Sequence, residues 1–364
     1  MALPQFGTQT TFDALASTQQ TIAQFGEDHA WDGIASMLNS YNDQQAELTS
    51  SLVDRTTSRL RRYGTAAQME MQRLDEMGTP NVQKVQPGVP VGFPLENYGI
   101  ALQWTRTFMK TTKASVLASQ ILAATTADTR RMIRNIKVAI YTGINYNFVD
   151  YLVDHLEVIP LPVKAFLNAD GQPVPPGPNG EVYNGYTHTH YLASATLTNA
   201  FAASVVETVI EHYNEGEAVI WINRADETAW RALVDFKAMT YDYVIRATTQ
   251  EYGEGTLNKD RLYNRQIGYF RGAEVWTKPY AIAGYMFCYM DGAPQPLVMR
   301  IRGEEANGGA PLEDSGNFVL TYEDDLHPLR AKAYEHEYGI GVWNRTNGSV
   351  GYYGGSVYVQ PVIS

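Results

Sequence analysis

The chain has 364 residues, enough for two compact domains, and its formal net charge of −11 argues against a dedicated nucleic-acid binder, which is normally basic overall. A hydrophobic content of 44% with 12% aromatics implies a substantial core, and the 24 tyrosines suit either strands or interfaces. Cys288 is the only cysteine, which excludes an intrachain disulfide and fits a cytoplasmic origin.

The N-terminus lacks the basic start and apolar run of a signal peptide. The longest uncharged helical stretch, 114–127, is too short and too rich in Thr and Ser to span a bilayer. A soluble product, intracellular when made, is expected. Residues 9–62 read as helical segments: one starting at Thr11 with Phe12, Leu15 and Ile22 as its stripe, one from Asp28 through Trp31, Ile34 and Leu38, and a third over 44–60. These stripes are thin, so the arm is expected to be held by partners.

Residues 65–108 read as a long hairpin without a core of its own. Ala67, Met69 and Met71 alternate with polar residues over 65–76, and Leu95, Ile100, Leu102 and Trp104 do so over 93–108. Between them, three prolines and three glycines in 78–92 forbid regular structure. An isolated two-stranded ribbon is marginal in water. Nothing nearby in sequence looks like its support, which points to another copy of the chain.

The strongest helical pattern follows over 111–141, with Val116, Leu117, Ile121 and Leu122 continued by Met132, Ile133, Ile136 and Ile140. The Thr125/Asp128 spacing resembles a capping box, so a break there is open, and Gly143 is a plausible stop. Residues 150–196 read as strands and loops with an exposed tip at Asp170, Gly171 and the proline-rich 173–178. Next come an amphipathic helix over 197–213 capped by Thr196 or Thr198, a buried strand over 217–223 and a helix over 225–236. A polar loop over 240–265 precedes strands over 268–279, 281–290, 297–302 and 318–322. The tail alternates through Ile340, Val342 and Trp343, turns at Asn347-Gly348 and resumes over 349–353. The architecture is mixed α+β, with an arm and a ribbon leaving a globular body.

This order of elements resembles the major capsid proteins of tailed bacteriophages, the family with the Hong Kong 97 fold. The turn Ile121-Leu-Ala-Ala-Thr-Thr126 followed by residues 127–143 looks like the family's short helix and spine helix. Ile267-Gly-Tyr-Phe-Arg-Gly-Ala-Glu-Val-Trp276 resembles its strand with a Gly-rich turn, and Tyr334-Glu-His-Glu-Tyr-Gly-Ile-Gly-Val-Trp343 its last long strand. The resemblance covers nearly the whole chain and rests on order, since each motif alone is weak. It implies an N-terminal helical arm (1–64), an extended loop (65–108), a peripheral domain with the spine helix (109–196 and 297–343) and an axial domain (197–296 and 344–364). Many family members carry a longer N-terminal segment removed by a protease. The start of this chain differs, so a separate scaffold or none is expected. Lys84 sits at the loop tip, where some relatives crosslink, but no partner motif accompanies it.

Active-site patterns are scarce. The chain lacks a phosphate-binding Gly-x-x-x-x-Gly-Lys-Ser/Thr motif and a Gly-x-Ser-x-Gly elbow. His188 and His190 share a strand face and can both reach a metal, but no acidic or Cys ligand sits at a supporting spacing, so they read as solvated loop histidines. Glu323, Asp324, Asp325 and His327 read as a charged surface turn, and Cys288 as a buried small hydrophobe. No enzyme, metal or cofactor is expected.

Charge placement is more informative. Lys110, Lys113, Arg130, Arg131, Arg134 and Lys137 are opposed only by Asp128 between residues 109 and 142. Arg130, Arg134 and Lys137 follow helical spacing. That face is either solvated and paired with acidic groups of an adjoining subunit, or an inner wall facing packaged DNA. Arg55, Arg59, Arg61 and Arg62 form a second basic cluster, with Arg55, Arg59 and Arg62 as arm contacts to neighbours. Met69, Met71, Lys84, Leu102, Trp104 and Arg106 are the expected loop contacts.

The resemblance implies a shell protein that self-assembles as pentamers and hexamers into an icosahedral phage head. Portal, scaffolding and decoration proteins and non-specifically bound double-stranded DNA are its expected partners, with no membrane. The place is the virion, after assembly in the host cytoplasm. An encapsulin-like compartment and a metal-dependent enzyme built on His188 and His190 are the rival readings.

Overall fold

The computed structural model describes residues 10–64, 71, 73–74, 76–78, 88–150, 160–239, 264–304 and 309–363. The arm begins with α1 (Thr11–Ser17), closed by a capping box between Thr10 and Asp13, and α2 (Ile22–Phe25), closed in the same way by Thr21 and Gln24. α3 (Glu27–Thr49) follows. The expected third helix over 44–60 does not form. The chain instead leaves α3 at Thr49 and makes strands β1 (Val53–Thr56) and β2 (Leu60–Tyr63). Ser50 and Ser51 are poor helix residues, and the β-branched Val53 and Thr56 suit a strand whose partner lies some 240 residues away.

The second correction concerns the hairpin. β2 pairs with β3 (Val89–Gly92), so the tip expected over 78–92 ends in a strand, with Val91 fully buried. β4 (Glu96–Thr105) takes its partner from far along the chain. It pairs antiparallel, over ten residues from Glu96↔Tyr338 to Thr105↔Leu329, with the last long strand of its own chain. Most of 65–76 lies outside the described residues.

After α4 (Arg106–Thr111), α5 (Ala114–Tyr141) runs unbroken for 28 residues, about 42 Å at ~1.5 Å per residue. The break open at Thr125/Asp128 is absent. Thr125 bonds back to the Leu122 carbonyl, while Asp128 turns inward to accept from the Tyr41 hydroxyl (2.8 Å) and to meet His336 Nδ1 (2.9 Å). Among the described residues, the segment beyond carries three short strands, β5 (Tyr146–Phe148), β6 (Leu161–Val163) and β7 (Tyr191–Ala193).

Next come α6 (Asn199–Ile210), capped by Thr198, the buried β8 (Glu217–Ile222), α7 (Glu227–Arg231) and β9 (Phe236–Ala238). The helix expected over 225–236 is therefore short, preceded by one 3₁₀ turn and followed by a strand. β10 (Arg265–Phe270) and β11 (Ala273–Thr277) form a hairpin about Arg271-Gly272, where both residues have positive φ. The remaining strands are β12 (Tyr285–Asp291), β13 (Leu297–Arg300), β14 (Val319–Asp324), β15 (Leu329–Val342) and β16 (Ser349–Tyr352).

Two large sheets result. One has the order β1-β13-β15-β14 with β4 also on β15; the other runs β7-β16-β12-β8-β11-β10-β9. The second sheet is covered by α6, whose Phe201, Val205 and Val209 pack with Ile220, Trp230, Phe270, Met286 and Cys288. Cys288 is fully buried, as expected, and burial pushes its thiol up to about 12. The C-terminal half of α5 packs between the sheets through Met132, Ile136, Ile140 and Tyr141. Its N-terminal half carries the arm. Phe12, Leu15, Ile22, Ile34 and Leu38 cluster with Leu117, Ile121 and Trp104, so the arm helices described here are held by their own chain.

One ion pair beneath β13 is fully desolvated. Arg300 Nη1 lies 2.5 Å from Asp150 Oδ2 and also donates to the Phe93 carbonyl, with Arg59 Nε 3.8 Å from the same carboxylate. Removing one partner of such a pair strands a buried charge. Asp150→Ala is expected to cost about 3–5 kcal/mol in urea unfolding of the purified protein. Asp150→Asn, which keeps an acceptor, should lose less.

Candidate functional site

The loop contacts separate into three groups. Met71 is fully exposed, with Leu74 and Met77 exposed beside it; Met69 and Lys84 lie outside the described residues. Trp104 is not available to a neighbour: it is buried against Trp31, and its Nε1 donates to Gln120 Oε1 at 2.6 Å. Leu102 packs at the edge of the same arm cluster. Arg106 is exposed but already paired with Asp325 at 3.2 Å.

The arm arginines divide as well. Arg59 is turned toward the buried Asp150, which overturns its assignment to a neighbour's carboxylate. Arg55 and Arg62 stay on the surface, Arg62 donating to the Gly88 carbonyl at 3.3 Å. On α5, Arg130 and Arg134 project from the side opposite the buried stripe, and neither meets a carboxylate among the described residues. Arg131 lies 4.2 Å over the Tyr98 ring and 4.0 Å from Glu96, so it belongs to the chain's own surface packing. Lys137 is half-buried, and burial lowers its pKa. The charged stretch 323–327 lies at the surface, but Glu323 and Asp324 end β14 rather than forming a turn; Asp325 pairs with Arg330 and Glu323 with Lys332.

The histidine expectation needs the largest correction. His190 is fully buried and His188 half-buried, not solvated, and both meet His212 at the end of α6, with Glu211 beside His188 and His212. The three Nε2 atoms lie 3.1, 3.2 and 3.3 Å apart. Glu211 Oε1 is 3.5 Å from His188 Nε2 and 3.9 Å from His212 Nε2. His190 Nδ1 is 2.7 Å from the Gly348 carbonyl, which places its proton there and leaves the Nε2 lone pair facing the others. Tyr183 covers the group, with ring centroids 4.7 Å from both His188 and His212 and its hydroxyl on the Glu211 carbonyl. His212 Nδ1 is buried and meets no partner among the described residues.

Burial sets the charge state here. It lowers all three imidazole pKa values, His212 to about 4, with neighbouring histidines adding to the shift in His190 and His212. It also raises the carboxyl of Glu211, helped by Glu181 and Glu207. At neutral pH the imidazoles are therefore uncharged. No feature of the sequence announced His212, which lies 22 residues beyond His190 on a different element.

Beneath this cluster sits a buried polar hub. Arg345, fully buried, donates to the carbonyls of Ala165 (2.7 Å) and Phe166 and reaches Asn168 Oδ1 and Asp170 Oδ2, both at 3.1 Å. Asn347 exchanges bonds with the Met290 backbone, and a Cβ on Gly348 would collide with Phe166. The Asn347-Gly348 turn expected from sequence is thus present, but it is core.

No family model matches the sequence, and no curated protein does. Among solved structures, a chain of Mycobacterium phage Patience is similar over 99% of this chain and 97% of its own, with a TM-score of 0.63 at 17% identity. A chain from the capsid of an empty GTA particle aligns over 84% of this chain and 89% of its own, at 13% identity and a TM-score of 0.45. One from the holo-SrpI encapsulin complex of Synechococcus elongatus PCC 7942 aligns over 84% and 86%, at 9% identity and a TM-score of 0.40. The last two are too distant to bear on function. The chain has an α+β fold, of the Hong Kong 97 type that its sequence resembles, and shares it from end to end with a phage protein.

Proposed function

We propose that the chain is the major capsid protein of a tailed double-stranded DNA phage, a structural subunit that self-assembles into an icosahedral shell around the genome. The observation that carries this reading is the likeness in fold to the Mycobacterium phage Patience chain over nearly the full length of both proteins. It agrees with the resemblance in element order along the sequence.

The exposed apolar side chains support the same reading. Met71, Leu74 and Met77 project from the ribbon region, Leu320, Tyr322, Leu326 and Leu329 line the β14 side of the first sheet, and Val357, Val359 and Val362 lie along the tail. β14 pairs only with β15 among the described strands, so its other edge is open to strand addition. Many modest contacts repeated around a shell hold it through effective concentration. Pentamers and hexamers, portal, scaffold and host-cytoplasmic assembly belong to this proposal. So does a genome-facing role for Arg130 and Arg134, whose charge would meet phosphates without sequence preference.

Met71→Glu with Leu74→Glu changes only exposed positions, so subunit stability should move by no more than about 0.5 kcal/mol. Particles should disappear from electron micrographs while circular dichroism stays native. Wild-type particle yield would remove the ribbon from the assembly contacts. Arg130→Gln with Arg134→Gln should lower the DNA content per particle, read from the 260 to 280 nm absorbance ratio, while empty shells still form. Failure of empty shells would instead assign these arginines to subunit contacts.

A further inference from the structure

We propose that His188, His190, His212 and Glu211 form a structural binding site for one divalent transition-metal ion, zinc in the first instance. The site would fasten the proline-rich segment before β7 to the end of α6. The four donor atoms come from two separated stretches of chain and lie within 4.8 Å of one another.

The geometry is hard to explain without a cation. A neutral imidazole nitrogen either donates or accepts, so three Nε2 atoms in mutual contact cannot all be paired: at least one pair is always donor against donor or acceptor against acceptor. The centre of a triangle of that size lies roughly 1.9 Å from each corner, too near for a hydrogen-bonded oxygen at about 2.8 Å but within reach of a metal–nitrogen bond. A zinc ion with Zn–N bonds of about 2.0–2.1 Å fits just out of that plane, and tetrahedral coordination separates its ligands by about 3.3 Å, close to the spacings found.

The surroundings favour the same ion. His190 has the outer-sphere hydrogen bond that fixes a ligating tautomer, from Nδ1 to the Gly348 carbonyl. The twelve-residue α6 ends at this point, and the negative end of its dipole favours a cation. Nitrogen donors select zinc and its neighbours over calcium or magnesium. Three nitrogens and one carboxylate also complete a tetrahedral shell, leaving no position for a substrate. The site is therefore structural.

The test uses untagged, full-length protein, purified, incubated with zinc chloride and then dialysed. Elemental analysis should find about one zinc per chain, falling at least about tenfold in His188→Ala with His212→Ala. Protein reconstituted with cobalt chloride should give the intense visible absorption of tetrahedral cobalt, and Glu211→Gln should shift that band. A chelator should lower the melting temperature of the wild type and leave that of the double variant unchanged. Wild-type protein that retains no zinc, or a folded double variant that retains as much as the wild type, would overturn the site. The wild-type stoichiometry decides the matter even if the double variant does not fold.

Discussion

The fold depends on the long antiparallel pairing of β15 with β4. Ten consecutive registered residues tie a segment near position 100 to one near 334, and β14 and β13 extend the sheet from β15. Because side chains alternate along a strand, Tyr334, His336, Tyr338, Ile340 and Val342 all point to one face, where α5 lies. His336 meets Asp128 of that helix, and Asp128 in turn receives the Tyr41 hydroxyl of α3. One polar chain thus links the last long strand, the spine helix and the arm. Gly339 sits where the pairing begins, and a Cβ there would collide with the Pro94 carbonyl, so this close approach requires glycine.

Much of this order was legible locally. α5 declared itself by its apolar period, α6 by its stripe and a cap at Thr196 or Thr198, β8 and β12 by unbroken apolar runs, and the turn before β16 by Asn347-Gly348. What failed was pairing at long range. Nothing in residues 96–105 names 329–338 as the partner, and the alternation that correctly marked a strand was assigned to a neighbouring subunit for want of a visible mate. Trp104 and Arg59 shared that error. Each is a conspicuous side chain on a segment thought to leave the body, and each is consumed by its own chain, Trp104 in the arm cluster and Arg59 beside Asp150.

The histidine cluster was half legible, for a related reason. A spacing of two suggests a shared face, so the pair His188 and His190 stood out, whereas a ligand set closed by a helix end can be recognised only once the packing is known. Burial also reverses the chemistry that sequence alone suggests. A histidine in a proline-rich loop reads as solvated, yet the 344–349 hub draws this loop against the second sheet through Arg345, and His190 goes inside with it. Fifteen or more residues of irregular chain are uncommon in a compact domain unless something fastens them. Here the fastening comes from below by a buried guanidinium and from the side by the four-donor cluster.

The packing of the chain against itself bears on where the proposed shell could make its contacts. With the arm helices packed on α5 and β4 paired to β15, the large apolar side chains left exposed among the described residues are spread over many elements, from Val116, Ile144, Val182 and Val234 to the Met71 region, the β14 edge and the tail. A single large patch would favour a dimer with closed symmetry. Several small, separated ones suit the repeated, individually weak contacts to several neighbours that the proposed shell requires. In the proposed shell the long β15–β4 pairing would hold the body together, while the β14 edge left unpaired among the described strands would offer a contact to a neighbour.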